Sequence, residues 1–242
     1  YLYCNENCSP GQPSEMESFA CENRIAPGQN LFDFIVQKRL RYGIIPLQAD
    51  WKEVSHAPLC VPLPPAGLSG GGPRPGPADR RLYRRNRAAF APFDPVQPED
   101  FFTEEGQAER LAEELGWAEA GRSFRFLLVQ PRHPGKIIGA LGFNEIVRGA
   151  FQSCFVSYKI DAALWGRGYG SEAIRYGTGW AFRVLGLHRA EANVMPRNAA
   201  SLRAAEKAGY RPEGLARRYL NINGVWEDHI HMVKLNEEEY HA

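Results

Sequence analysis

The stretch Lys159–Ser171, KIDAALWGRGYGS, constrains this chain more than any other part of it. An alternating segment, Phe151–Ile160, enters it as a strand, and an amphipathic helix leaves it. Between the two, Gly166, Gly168 and Gly170 stand at alternate positions, and Glu172 falls in the first helical turn. Glycines let backbone N–H groups approach an anion closely. The helix N-terminus adds partial positive charge and Arg167 a full one. The combination suits a pyrophosphate, although a plain strand-to-helix turn would read the same way. The G-x-G-x-G spacing is not the dinucleotide fingerprint, because no parallel βαβ unit opens the chain. Nor is it a nucleoside-triphosphatase loop, because no Lys-Ser/Thr pair follows the glycines.

Hydrophobic periodicity supplies the surroundings of this loop. Lys38–Leu47 reads as a first strand, and Asp50 caps a short helix. Proline and glycine dominate from Ala57 to Pro77, so neither helix nor ladder is expected there, and 58–79 reads as a flexible insertion. Helices follow at Arg80–Phe90 and Phe101–Leu115. Phe124–Val129 and Lys136–Phe143 read as antiparallel strands joined at PRHPG, with Phe151–Ile160 as a third. The helix Ser171–Leu185 gathers Ala173, Ile174, Gly177, Ala181 and Val184 on one stripe. Its Gly177 and Gly179 each cost about 1 kcal/mol against alanine, which close packing on a sheet would justify. A strand at Arg189–Met195, a helix Ala199–Ala208 ending at Gly209, and a hairpin around Asn223-Gly224 complete the series. The order describes an α+β domain around one mixed sheet. Residues 1–34 show little periodicity and read as an arm, poorly ordered or draped, before a domain over 35–242.

Composition excludes several classes. With 44% apolar residues among 242, the chain can bury a sizeable core. A net charge of +1 gives no global field toward nucleic acid or anionic lipid, so neither a membrane nor direct nucleic-acid contact is expected. No apolar run is long enough to cross a bilayer, and no charged-then-apolar leader opens the sequence. The expectation is a soluble, cytoplasmic protein. Cys4, Cys8, Cys21, Cys60 and Cys154 match no zinc spacing, so no metal is expected, and Cys154 reads as a small buried hydrophobe. Arg80, Arg81, Arg84, Arg85 and Arg87 read as a solvated helix face rather than an RNA contact. His229 and His231 lack a third ligand and read as ordinary strand residues.

WGRGYGSEA, Trp165–Ala173, resembles the acetyl-CoA loop of the GNAT-superfamily N-acetyltransferases, written Q/R-x-x-G-x-G/A. Trp165 departs from the first position, while Gly168 and Gly170 match the two glycines. The Trp-Gly form, with NEIVRGAFQ (144–152), MPRNAASLRAAEKAGY (195–210) and EGLARRYLNINGVWED (213–228), resembles the RimJ/RimL-type ribosomal-protein alanine N-acetyltransferases. The resemblance covers about 36–240 apart from the insertion. It implies the GNAT (acyl-CoA N-acyltransferase) fold, a mixed, mostly antiparallel sheet flanked by helices and splayed between its fourth and fifth strands. It implies that acetyl-CoA enters that gap and meets Tyr158, Lys159 and Ile160 through their backbone. Trp165, Gly166, Arg167, Gly168, Tyr169, Gly170 and Ser171 would hold the pyrophosphate, and Asn198 the pantetheine from the other side.

The implied reaction is attack of a neutral amine on a thioester. An α-amine titrates near 8, so a strong base is unnecessary, but the leaving thiolate calls for a proton donor or dipole. Many family members use a Tyr where this chain has Ala205. Ser201, three residues after Asn198, is the replacement the resemblance suggests, or else an ordinary first-turn polar residue. Some relatives carry a Glu base where this chain has Asn193. Glu145 is the nearest carboxylate for the role and Glu191 a second, although strand alternation points Glu191 away and either suits a solvated surface. Trp226, Glu227 and Asp228 would line the acceptor mouth. The implied activity is acetyl transfer to a protein N-terminus, ribosomal-protein-like, by a monomer or homodimer. A small-amine acetyltransferase (antibiotic, polyamine or amino acid) and a catalytically idle acyl-CoA-binding or ribosome-docking protein are the rivals.

Overall fold

A computed structural model describes residues 59–62, 75–130 and 133–237. The arm at 1–34, the strand at Lys38–Leu47 and the helix after Asp50 lie outside the described residues. In chain order the elements are β1 (Leu59–Pro62), α1 (Pro75–Phe90), a 3-10 turn (Glu99–Phe102), α2 (Glu104–Glu119), β2 (Phe124–Gln130), β3 (His133–Val147), β4 (Ser153–Ile160) and a second 3-10 turn (Ala162–Leu164). Then come α3 (Tyr169–Leu185), β5 (Arg189–Val194), α4 (Ala199–Lys207), β6 (Arg211–Ile222) and β7 (Val225–Leu235). The seven described strands form one sheet in the order β1-β2-β3-β4-β5-β7-β6. Every pairing is antiparallel except β4 with β5. This is the mixed, mostly antiparallel, helix-flanked sheet that the sequence implies.

One expectation is corrected. Ala57–Pro77 was expected to hold neither helix nor ladder, yet β1 lies inside it, paired from Leu59↔Val129 to Pro62↔Phe126. The strand stops at Pro62, whose missing N–H cannot extend a ladder. Helix α1 also begins inside it, at Pro75, with Pro77 in the first turn. Proline is tolerated there because the first N–H groups of a helix have no internal acceptor.

Helices cover the sheet on both faces. Phe126, Leu128, Ile138 and Phe143 pack against Ala173, Ile174, Trp180 and Ala181 of α3 in the larger core. Trp180 meets Phe124 and Phe126 edge-on, at 5.4 and 4.8 Å between ring centroids. On the opposite face Leu127, Val129, Ile137 and Ala140 pack with Leu82 of α1 and with Leu111 and Leu115 of α2. Alternation along β2 thus sends successive residues to two different helical layers. Cys154 is buried in the larger core, and burial pushes its thiol up to about 12, so it behaves as a small apolar residue. The Asn223-Gly224 turn has φ of +56° and +87°, which fits the type I′ turn read from its sequence.

The feature that makes a site is a shortfall in pairing. β4 and β5 pair through Ser153↔Arg189, Cys154↔Ala190 and Phe155↔Glu191, and no further. β4 runs on to Ile160 and β5 to Val194, so the two strands splay. Along the splay the facing backbone groups have no ladder partner across the gap.

The two unusual glycines of α3 prove to differ. A Cβ at Gly177 would lie 2.2 Å from Leu141 Cδ2 and 3.1 Å from Phe143 Cζ, so its absence lets the helix settle on β3. At Gly179 the nearest atoms are the guanidinium of Arg183, the mobile end of a side chain, and the sheet plays no part. Gly177→Ala is expected to destabilise by about 1–3 kcal/mol through overpacking. Gly179→Ala should be neutral or gain up to about 1 kcal/mol. Urea unfolding of the two variants checks this contrast.

Candidate active site

The glycine loop is anchored from below. Asp161, at the end of β4, accepts from Arg85 Nε at 2.8 Å and from Ala163 N at 3.3 Å. Arg85 also donates to the carbonyl of Ile137 at 2.6 Å, and Asn86 Oδ1 accepts from Ala162 N at 2.8 Å. Helix α1 therefore fixes where the loop starts. Arg84 donates to Phe102 O at 2.8 Å and Arg87 to Glu99 at 2.7 Å. The reading of the arginine cluster as a solvated face is thus corrected at Arg84 and Arg85, whose heads are used within the fold, while Arg87 and its partner Glu99 remain exposed.

Within the loop, Gly166 and Gly168 have φ of +75° and +86°, a region costly for any side chain. A Cβ at either would meet nothing within 4 Å, so backbone conformation requires these glycines and the space before them is open. A Cβ at Gly170 would make ordinary contact with Ile160 and Ala204, at 3.7 and 3.8 Å. Trp165 Nε1 donates to Ile160 O at 2.8 Å, Tyr169 Oη accepts from Gln130 at 2.9 Å, and Ser171 Oγ donates to Gly168 O at 2.9 Å. These side chains hold the loop's shape, leaving Arg167 exposed beside the N-terminus of α3.

At the wide end of the splay, β4 and α4 approach each other. Tyr158 Oη lies 2.5 Å from Ser201 Oγ and 3.0 Å from the Ser201 carbonyl. Burial pushes the Tyr158 phenol up to about 12 against the opposing effect of the Ser201 hydrogen bond. Asn198 caps α4, its Oδ1 accepting from Ser201 N at 3.1 Å. Tyr158, Asn198 and Ser201 are thus brought together around one gap. Lys159 faces the other way and pairs with Asp94 at 2.9 Å.

On the sheet face opposite α3 and α4 the gap opens among polar side chains. Glu191 is buried and bonded to His231 Nδ1 at 2.6 Å and to Arg189 at 2.8 Å. Arg189 also donates to Glu213 at 2.9 and 2.7 Å. Tyr219 stacks edge-on against His231 at 4.9 Å. Burial first, then the charges of Glu191 and Glu145, push the Tyr219 phenol up, with Asn193 opposing. Glu145 itself stands exposed on a bulge of β3, at φ +48°, and bonds to none of Tyr158, Asn198 and Ser201. The expectation that Glu191 is a solvated carboxylate is therefore corrected, and His231, read as a strand residue rather than a metal ligand, has a buried carboxylate as its partner. No motif links the two, since the β5–β7 register creates their contact.

The turn after α1 walls this face. Phe93 lies under Arg197, 5.6 Å from guanidinium to centroid, Asp94 holds Lys159, and Asn223 Nδ2 donates to Ala91 O at 2.8 Å. Glu227 pairs with Arg197 at 2.6 Å, which puts one residue of the expected acceptor mouth beside the turn.

A sheet splayed in this way, with a glycine loop at a helix N-terminus on one side and hydroxyls at the gap, defines an acyl-CoA acyltransferase architecture. The sequence profile of the acetyltransferase (GNAT) domain matches residues 74–211, and the chain belongs to that family. It is an acetyl-CoA-dependent N-acetyltransferase of the RimJ/RimL type. It is 40% identical over 158 residues to a probable N-acetyltransferase, YjcK, of Bacillus subtilis, covering 65% of this chain and 87% of that one. It is 34% identical over 148 residues to the ribosomal protein uS5-alanine N-acetyltransferase of Escherichia coli, covering 61% and 76%. The crystal structure of a ribosomal-protein-S5-alanine acetyltransferase from Vibrio fischeri superimposes with a TM-score of 0.65 at 34% identity, covering 68% of this chain and 89% of that one. Among the described residues no helix is long and apolar enough to cross a membrane.

The loop anchor gives a pH prediction. Burial alone would raise the Asp161 carboxyl. The hydrogen bond and charge of Arg85, with the Ala163 and Asn86 contacts, outweigh it and hold the carboxyl below its ordinary value. A depressed folded value adds stability above the unfolded value, about pH 4, and that stability is lost as pH falls further. Asp161→Asn should cost about 2 kcal/mol at neutral pH and flatten the acid limb of the stability curve below about pH 4. Chemical unfolding at a series of pH values measures both.

Proposed function

We propose that this enzyme acetylates the N-terminal α-amine of a protein, one resembling a ribosomal protein with an N-terminal alanine. The truncated β4–β5 pairing carries this reading, because it leaves a gap between a polar face of the sheet and the Tyr158–Ser201 hydroxyl pair. An extended N-terminus can enter such a face, whereas a small amine would call for an enclosing pocket. Similarity to uS5-alanine acetyltransferases over most of their length supports the same acceptor.

The chain's residues fit acetyl-CoA. The far edge of β4, at Tyr158, Lys159 and Ile160, offers backbone donors and acceptors to pantetheine amides as an adjoining strand would. The segment Trp165–Ser171 presents loop N–H groups, the α3 N-terminus and Arg167 to the pyrophosphate. Asn198 faces the pantetheine from α4.

Ser201 acts on the departing sulfur. A thiol titrates near 8.5, well below the Tyr158 phenol, so the proton stays on oxygen. The Tyr158–Ser201 pair therefore stabilises the thiolate as a hydrogen-bond donor, and water supplies the proton afterwards. This is a preorganised dipole in a partly dry gap, the arrangement that lowers barriers most. Glu145, at the rim, attracts the incoming ammonium.

Ser201→Ala should lower kcat by roughly 10²–10³, the scale for losing one such donor, with little change in KM for acetyl-CoA. The assay uses peptides beginning with Ala, with spermidine as the competing acceptor and mass spectrometry to locate the acetyl group. Acetylated spermidine with untouched peptides would assign the enzyme to small amines instead.

A further inference from the structure

From the Glu191–His231 pair we infer a proton acceptor for the amine, one that no sequence motif announces. The two faces of the splayed sheet carry different chemistry. Tyr158 and Ser201 meet on the α4 side of the gap. Arg189, Glu191 and Asn193 alternate onto the other side of β5, and His231 lies directly opposite Asn193 on β7. Directly opposed residues of an antiparallel pair share a face, with Cβ atoms about 4.5–5.5 Å apart. Asn193 belongs to the part of β5 that has left β4 and so borders the gap. Its Oδ1 is buried without a hydrogen-bond partner among the described residues, an acceptor that an amine N–H of a substrate would satisfy.

His231 is built as a base. Glu191 Oε1 lies 2.6 Å from Nδ1, which fixes the N–H on that nitrogen and leaves the lone pair on Nε2. Glu191 is itself held by Arg189, and Arg189 by Glu213, so the carboxylate cannot swing away. Tyr219 packs on the imidazole at 4.9 Å and on His229 at 5.8 Å, fixing the ring plane. The charged and titratable groups around His231 are thus Arg189 and Glu191 from β5, Glu213 and Tyr219 from β6, and His229 from β7, with Glu145 acting on Tyr219 from the β3 bulge.

The balance of the step follows. The acceptor arrives as an ammonium, and Nε2 takes one proton from it. The freed lone pair attacks the thioester carbonyl carbon, forming the C–N bond and leaving the nitrogen positively charged. The C–S bond breaks, the electron pair leaves on sulfur, and Ser201 steadies that charge from the far side of the sheet. The nitrogen sheds its second proton, which reaches the thiolate through water and gives the neutral amide and the free thiol. His231 returns its proton to water. Proton acceptor and sulfur partner thereby stand on opposite faces, so neither neutralises the other before the amine arrives. Glu145, exposed on the bulge, is left to attract the acceptor.

This inference rests on acetyl transfer and not on which amine is the acceptor. His231→Gln, Glu191→Gln and Glu145→Gln are assayed across pH with the amine that the parent enzyme turns over fastest, from a panel of Ala-peptides and polyamines. Calorimetry with acetyl-CoA and a thermal melt accompany each variant. The expected result is that His231→Gln loses roughly 10²–10⁴ in kcat, keeps its acetyl-CoA affinity and loses the acidic limb of the parent profile. Glu191→Gln should lose less, and Glu145→Gln should move KM for the amine more than kcat. His231→Ala should regain rate with added imidazole, which a merely structural histidine would not show. Three results would overturn the inference: a His231→Gln enzyme within a few-fold of the parent rate, a folded His231→Ala enzyme indifferent to imidazole, or loss of the acidic limb in Glu145→Gln instead. A parent enzyme active on polyamines but not peptides would sink the proposed acceptor while leaving the base open to the same test.

Discussion

Everything functional in this chain depends on β4 and β5 separating after three residue pairs. A parallel pair normally continues as far as both strands last, because unpaired backbone groups in a protein interior are costly. Here two structures keep the strands apart. Tyr158 reaches across to α4, and Asp161 is pulled toward α1 by Arg85 and Asn86. The strand end is thus tied on one side to the helix that follows β5 and on the other to the first described helix. Beyond the third pair the facing backbone groups of the two strands have no ladder partner across the gap.

The same separation sorts the chemistry. Because β4 alternates, Tyr158 goes to the helix side and Lys159 to the open side, where Asp94 holds it. β5 alternates in the same way, giving Ala190, Ala192 and Val194 to the core and Arg189, Glu191 and Asn193 to the groove. A period of two is enough to place the Tyr158–Ser201 hydroxyl pair and the polar Arg189–Glu191–Asn193 row on opposite sides of one sheet.

Much of this was legible in the residues. The strand–loop–helix at Lys159–Ser171, the α3 stripe and the Asn223-Gly224 hairpin are local patterns, and each appears where its period or turn chemistry puts it. What was not legible depends on register. Glu191 and His231 are forty positions apart, and only the β5–β7 alignment brings them together. The heads of Arg84 and Arg85 looked solvated because a helical wheel does not show a neighbouring carbonyl or carboxylate. β1 was hidden because a four-residue strand bounded by proline has no room for a period. Gly179 shows the reverse case, a glycine whose expected packing reason is absent.

The turn at Ala91–Asp94 is pinned from three directions. β4 holds Asp94, the segment after β5 holds Phe93, and the hairpin tip holds Ala91 through Asn223, 132 positions away. A domain folds as a unit, and the bond from Asn223 to Ala91 closes this wall only when the last two strands are in place. A chain cut before the hairpin would therefore lose the wall together with two of the seven described strands, β6 and β7.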